Sequence, residues 1–300
     1  MVNNFFLWKL SPTLKTPPGK LMTSSQPRSM LCPKCRRLIS GDESVCPYCD
    51  LKNPTSSWQR LLGRGLNDGD QLLKILIAVN IVMYVLSLLI SAGSTGFSLN
   101  PLFFLSPDSR SLLLLGASGH IPIDRLHRWW SLISANYLHG SILHIFFNMI
   151  ALKQLGPLVL QEYGNYRMFI IYTLSGVFGF FVSYLAGIPF TIGASAAVCG
   201  LIGSALYFGK SRGGIYGQTI FRQIGGWAIS IFLFGFFVPA INNWAHGSGM
   251  LAGVALGFLL GYKERSRERQ SHKIAALCCV LITALVLLWA ILSSLYLLIM

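Results

Sequence analysis

The sequence predicts an all-α, multi-pass membrane protein of seven helices, preceded by a small cysteine-bearing module. Three observations carry that reading. Of 300 residues, 53% are hydrophobic and 11% charged, with a mean hydropathy of +0.57; a water-soluble domain carries roughly 25% charged residues. Apolar runs approaching the roughly 20 residues that cross a bilayer recur at about 71–91, 136–157, 164–186, 194–209, 219–238, 243–262 and 273–299. Most of the basic residues beyond the first run, finally, fall on alternate connections between those runs or their flanks.

That distribution accounts for the net charge of +14. Residues 1–70 hold ten Lys/Arg against five Asp/Glu, and beyond them Lys153, Arg167, Lys210, Arg212, Arg222 and the cluster from Lys263 to Lys273 lie in alternate loops or their flanks. The intervening loops near 187–193 and 239–243 carry no Lys or Arg. Basic residues accumulate on the cytoplasmic side of membrane helices, so this pattern sets the N-terminus in the cytoplasm and the C-terminus outside, as in a multi-pass protein of the plasma or inner membrane. The excess is a topology signal, and no nucleic-acid partner is expected. The first eight residues offer neither a basic n-region nor an apolar run long enough for a secretory signal.

Taken in order, residues 1–30 are rich in Pro, Ser, Thr and Lys and read as a disordered tail. Residues 31–52 contain Cys32-Pro-Lys-Cys35 and, ten residues on, Cys46-Pro-Tyr-Cys49. Two such pairs can place four thiolates tetrahedrally around one structural zinc, and a ribbon of this size serves docking or structure. The competing readings are two disulfides or a redox C-x-x-C, against which the cytosolic location and the doubled motif count. The ribbon's partner is not specified by its sequence. Residues 53–70 form a polar linker, and 71–300 the transmembrane domain. After the first run, some 40 residues lie outside; they include Trp129 and Trp130 and the stretch Ser111–Gly116, too short to span. Tryptophan favours the membrane interface, so this loop is expected to lie partly embedded.

Polar residues inside the spans are costly and mark function. The second run opens with His139, His144 and Asn148, the last two sharing a helix face. The fourth opens Gly193-Ala194-Ser195 and continues with small residues at Ala196, Gly200 and Gly203; the sixth carries His246 followed by Gly249, Gly253 and Gly257. Small residues every three or four positions let two helices approach closely. By itself that face reads as a plain packing surface. With the deduced topology, however, His139, His144, Ser195 and His246 all lie near the same membrane surface. If the fourth and sixth helices pack through their glycines, Ser195 gains an adjacent general base in His246. No Asp or Glu lies in the second to sixth runs, which favours a Ser–His dyad over a triad. His144, Asn148 and the Ser195 backbone N–H are candidate donors to an oxyanion. The soluble hydrolase pattern G-x-S-x-G is not met, since position 197 is alanine.

These residues resemble the rhomboid intramembrane serine proteases: His139…His144…Asn148, Gly193-Ala194-Ser195, and Ala245-His246-x-x-Gly249-x-x-x-Gly253. The resemblance covers about 71–262. It implies a six-helix core with one added C-terminal helix, Ser195 as nucleophile and His246 as base. It further implies an oxyanion site formed with His144 and Asn148, no catalytic cofactor, and transmembrane protein substrates in the bilayer, cut near their outer end. Three positions depart from the family pattern: Ala196 where glycine usually follows the serine, Cys199 where an aromatic often lies under the histidine, and Arg128-Trp129-Trp130 where Trp precedes Arg. A rhomboid-like protein that binds membrane helices without cutting them is the alternative. A proton-relaying transporter is disfavoured by the missing core carboxylates.

Overall fold

The computed structural model describes residues 29–32, 37–41, 43–52, 68–91, 96–97, 104–238 and 241–299. They fall into two compact units divided between Gly63 and Arg64. In the small unit, β1 (Met30–Leu31) pairs antiparallel with β2 (Leu38–Ile39), and Val45 bridges to Lys52. Cys32, Ile39 and Cys46 form its core, with Met30, Cys49 and Leu51 packed around them. The expected tail, much of the linker and Cys35 lie outside the described residues.

The large unit is built of helices: α1 (Gly69–Ile90), the short α2 (Ser109–Leu114), α3 (His120–Leu126) and α4 (Ser131–Ser134), then α5 (Ile142–Tyr163), α6 (Asn165–Leu185), α7 (Ser195–Arg212), α8 (Gly214–Phe237), α9 (Asn243–Leu260) and α10 (Gln270–Ile299). A two-stranded ribbon, β3 (Gly96–Phe97) with β4 (Phe104–Ser106), follows α1. Seven helices of 18 residues or more thus match the seven apolar runs. Five of them (α1, α5, α6, α8 and α10) are long and apolar enough to cross a membrane. The other two, α7 and α9, are 18 residues each and lean on Gly, Ala and Ser. Every residue of α7 from Ala196 to Ala205 is buried, so its neighbours are helices and its side chains are small. Helices α8 and α10 instead expose Phe, Leu and Ile along much of their length. With backbone groups satisfied inside each helix, such faces belong in lipid.

The second run is shifted by the structure. Residues 135–137 form a 3-10 turn, Ser141 caps the helix by accepting from the His144 N–H at 3.2 Å, and α5 begins only at Ile142. His139 therefore sits in the connection before α5 and not on it. At its other end α5 runs on to Tyr163, so it includes Glu162, which is buried and accepts from the Tyr216 hydroxyl at 2.7 Å. Gly164, with φ +90°, turns the chain into α6, and a side chain there would strike the Glu268 carboxylate.

Candidate active site

Helices α7 and α9 meet through glycine. A methyl group at Gly249 would fall on the Ala196 carbonyl oxygen, one at Gly253 on that of Gly200, and one at Gly203 on that of Met250. At Gly257 it would lie 3.2 Å from the Ser204 Cα. Close backbone approach of this kind is what small residues permit between membrane helices. It sets the first turn of α9 beside the first residue of α7, and Ser195 Oγ lies 2.7 Å from His246 Nε2. His246 is buried; among the described residues its Nδ1 has no hydrogen-bond partner. Ser195 occupies a helix N-terminus, where free N–H groups and the helix dipole favour negative charge.

His144 approaches from the third side. Its Nδ1 accepts from the Gly140 backbone N–H at 3.3 Å, which leaves the ring proton on Nε2. A Cβ on Gly193 would sit 2.7 Å from that Nε2 and 3.6 Å from Ser195 Oγ, so the His144 donor and the serine flank the same glycine. The absence of a side chain at Gly193, whose φ is +122°, keeps that gap open and permits a backbone that other residues adopt with strain. The fully buried His139 ring packs edge-on to His144, centroids 5.0 Å apart. Asn148 lies one turn along α5 and donates from Nδ2 to the His144 carbonyl at 2.9 Å, within its own helix. The structure thus gathers Ser195, His246, His144, His139 and Gly193 at one end of the bundle; Asn148 adjoins them through His144.

A bracket of polar residues that the sequence reading passed over holds this group. Asn242 caps α9 by accepting from the Ala245 N–H at 3.1 Å, and its Nδ2 donates to Ser183 Oγ at 2.5 Å and to Thr191 Oγ1 at 3.1 Å. Thr191 in turn exchanges backbone hydrogen bonds with Ser118 (2.8 and 3.1 Å), and the Gly193 N–H donates to the Ala135 carbonyl at 2.9 Å. The segment leading into Ser195 is thereby tied to the long outer loop. The available signal was an asparagine just before an apolar run, a strong helix N-cap. Ala196, the departure next to the serine, is fully buried among Ala135, Phe180 and Ala245. A Cβ on Gly179 would come within 2.9 Å of its methyl.

In the small unit, the sulfurs of Cys32, Cys46 and Cys49 lie within 4.8 Å of one another, with Cys32 and Cys49 Sγ 3.7 Å apart. Four sulfurs at about 2.3 Å around tetrahedral zinc stand about 3.8 Å from each other, so these three thiols form a set that can hold such an ion. The fourth expected ligand, Cys35, is outside the described residues. Cys199, Cys278 and Cys279 belong to helices of the other unit.

Residues 126–263 match the sequence profile of the Rhomboid domain. Over 187 residues the chain is 32% identical to "Rhomboid protease GluP" of Bacillus subtilis, an alignment covering 62% of this chain and 34% of that protein. It is 36% identical over 160 residues to "RHOMBOID-like protein 5" of Arabidopsis thaliana, covering 52% of each. It is also 30% identical over 179 residues to "Inactive RHOMBOID-like protein 8" of the same plant, covering 58% of this chain and 50% of that one. The chain therefore spans about a third of the bacterial protease and about half of the two plant proteins.

Proposed function

We propose that this chain, whose residues 126–263 match the Rhomboid domain, is an intramembrane serine endopeptidase that cuts transmembrane helices near their outer end. The observation that carries this is the 2.7 Å approach of Ser195 Oγ to Nε2 of the buried His246. His246 takes the Ser195 proton as the oxygen attacks the scissile carbonyl, then gives it to the departing amine; water repeats the sequence on the acyl-enzyme. Charge that develops on the carbonyl oxygen is met by the His144 Nε2–H, the Ser195 backbone N–H and the Asn148 amide. His139 braces His144 through ring contact. A peptide bond inside a helix is shielded, so a substrate must unwind locally, and helix-weakening Gly or Pro with a small residue before the cut suits this site.

On the same reading the N-terminus is cytoplasmic, Met300 is external, and the active serine opens toward the outside. Cys35 completes a structural zinc site with Cys32, Cys46 and Cys49. The second reading, a rhomboid-like factor that binds membrane helices without cutting, is favoured by Ala196, which stands where the family usually has glycine. Labelling with a serine-directed fluorophosphonate, alongside cleavage of helix-destabilised membrane substrates, separates the two. Wild type is expected to be labelled and to cut, whereas Ser195→Ala and His246→Ala do neither while keeping their melting temperature. A wild type inert in both assays leaves the binding reading standing.

A further inference from the structure

Away from Ser195, an open groove with a volume of about 490 Å³ runs between the outer loop and the last turns of α10. Arg128 and Trp130 line it from the loop; Trp289, Leu292, Ser293 and Tyr296 line it from the helix. That volume falls within the roughly 300–1,000 Å³ of small-ligand sites. Its depth follows from the topology. Helix α10 starts at the end of the bundle where Arg167 donates to His272. It therefore finishes at the end where α1 stops and α5 and α7 begin, the level of the lipid headgroups on the Ser195 side.

The guanidinium of Arg128 is unusually situated for a cation at that depth. One nitrogen, Nη1, donates to the Leu113 carbonyl at 2.6 Å, and the group lies over the Trp130 ring at 5.8 Å. Among the described residues no carboxylate pairs with it. Burial lowers its pKa. A half-buried arginine with donors to spare, in a groove of amphipathic aromatics, is short of one thing, an anion with several acceptor oxygens. A bilayer supplies that anion in the phosphodiester of its lipids.

We propose that this groove binds one phospholipid, its phosphate on Arg128 and within reach of the Ser293 and Tyr296 hydroxyls, and an acyl chain along Leu292 and Trp289. The bound lipid ties the outer loop to α10, and the site is separate from the reaction at Ser195. A transmembrane peptide carrying an acidic residue is the rival occupant, disfavoured because the groove lies at headgroup level.

The test uses full-length protein stripped of lipid in neutral detergent and read by native mass spectrometry. It is titrated with dioleoyl phosphatidylglycerol, with dioleoylglycerol, which lacks the phosphate, and with inorganic phosphate. One phosphatidylglycerol is expected to be retained in preference to later copies, and neither dioleoylglycerol nor inorganic phosphate at the same concentrations. Arg128→Gln should weaken that first copy about tenfold, the scale of a charge-assisted hydrogen bond. Ser293→Trp should do the same by filling the groove while leaving the Arg128–Leu113 bond in place, and it decides the matter if Arg128→Gln unfolds the loop. Equal retention of dioleoylglycerol, unchanged binding in Ser293→Trp, or uptake of inorganic phosphate with no preference for lipid would each overturn the proposal.

Discussion

The helix that carries His246 owes its position to Asn242, and replacing that residue by alanine tests how firmly. Three hydrogen bonds are lost: the N-cap to Ala245 and the two donations to Ser183 and Thr191. A cap of this kind stabilises by about 1 kcal/mol, and each neutral hydrogen bond by about 1 kcal/mol net, so Asn242→Ala should cost about 3 kcal/mol. The catalytic cost is expected to be larger than that figure alone suggests. With the bracket gone, the first turn of α9 is free to drift from Thr191 and so from the segment leading into Ser195. A displacement of about 1 Å in a reacting geometry lowers rate about 10²-fold. Asn242→Asp keeps the acceptor for the Ala245 N–H and places negative charge at a helix N-terminus, but it loses both donors; it should recover part of the stability and little of the rate. The assay is cleavage of a helix-destabilised membrane substrate alongside a thermal melt of each variant. Wild-type turnover in Asn242→Ala would refute the reasoning, because it would mean that glycine packing alone aligns His246.

Three further expectations concern the same chain. His144→Ala and Asn148→Ala should each slow cleavage by about 10²–10³-fold without changing the melting temperature, as the removal of one oxyanion donor does; full rates in both and in the double variant would place the donors elsewhere. Metal analysis of the purified protein should find one zinc per chain, reduced in Cys46→Ser, and none in either would dismiss the ribbon. Reporter fusions should report the N-terminus inside and the residue 300 end outside; both ends on one side would break the seven-helix topology and reassign the leaflet of Ser195.

How much of this was legible in sequence follows from the range of each interaction. Helix positions were readable because a lipid-facing run is defined by its own residues, and the glycine spacing at 249, 253 and 257 already describes a face made for close approach. The start of α5 was misplaced because the run was begun at Asn136, although His139-Gly140-Ser141 interrupts it and Ser141, three residues before His144, carries the capping signal that sets the start. Glu162 escaped notice as a buried group, since its cover, Tyr216, comes from a helix 54 residues further on. The folding of the outer loop was out of reach for the same reason. Ser118 pairs with Thr191, and His120 donates its N–H to the Ile188 carbonyl at 2.8 Å; neither contact leaves a mark in the local pattern. The cysteine ribbon shows the opposite case, where strands two residues long carry no signal and the paired cysteines carry all of it.

The alanine after the serine can be placed in the same physical terms. Its methyl is seated where α6, α7 and α9 converge, and room for it comes from Gly179: a Cβ there would stand 2.9 Å from the Ala196 Cβ and 2.8 Å from the Ala245 carbonyl oxygen. Residue 196 follows Ser195 and residue 245 precedes His246, so one packing contact touches both halves of the proposed dyad. Carbon atoms closer than about 3.5 Å repel steeply, which means that the three helices can accommodate one methyl at this point and not two. The family's usual glycine would leave the space empty or filled from α6; this chain fills it from α7. Any influence of Ala196 on catalysis is therefore carried by the spacing of α7 and α9, the same spacing that sets the distance from Ser195 Oγ to His246 Nε2.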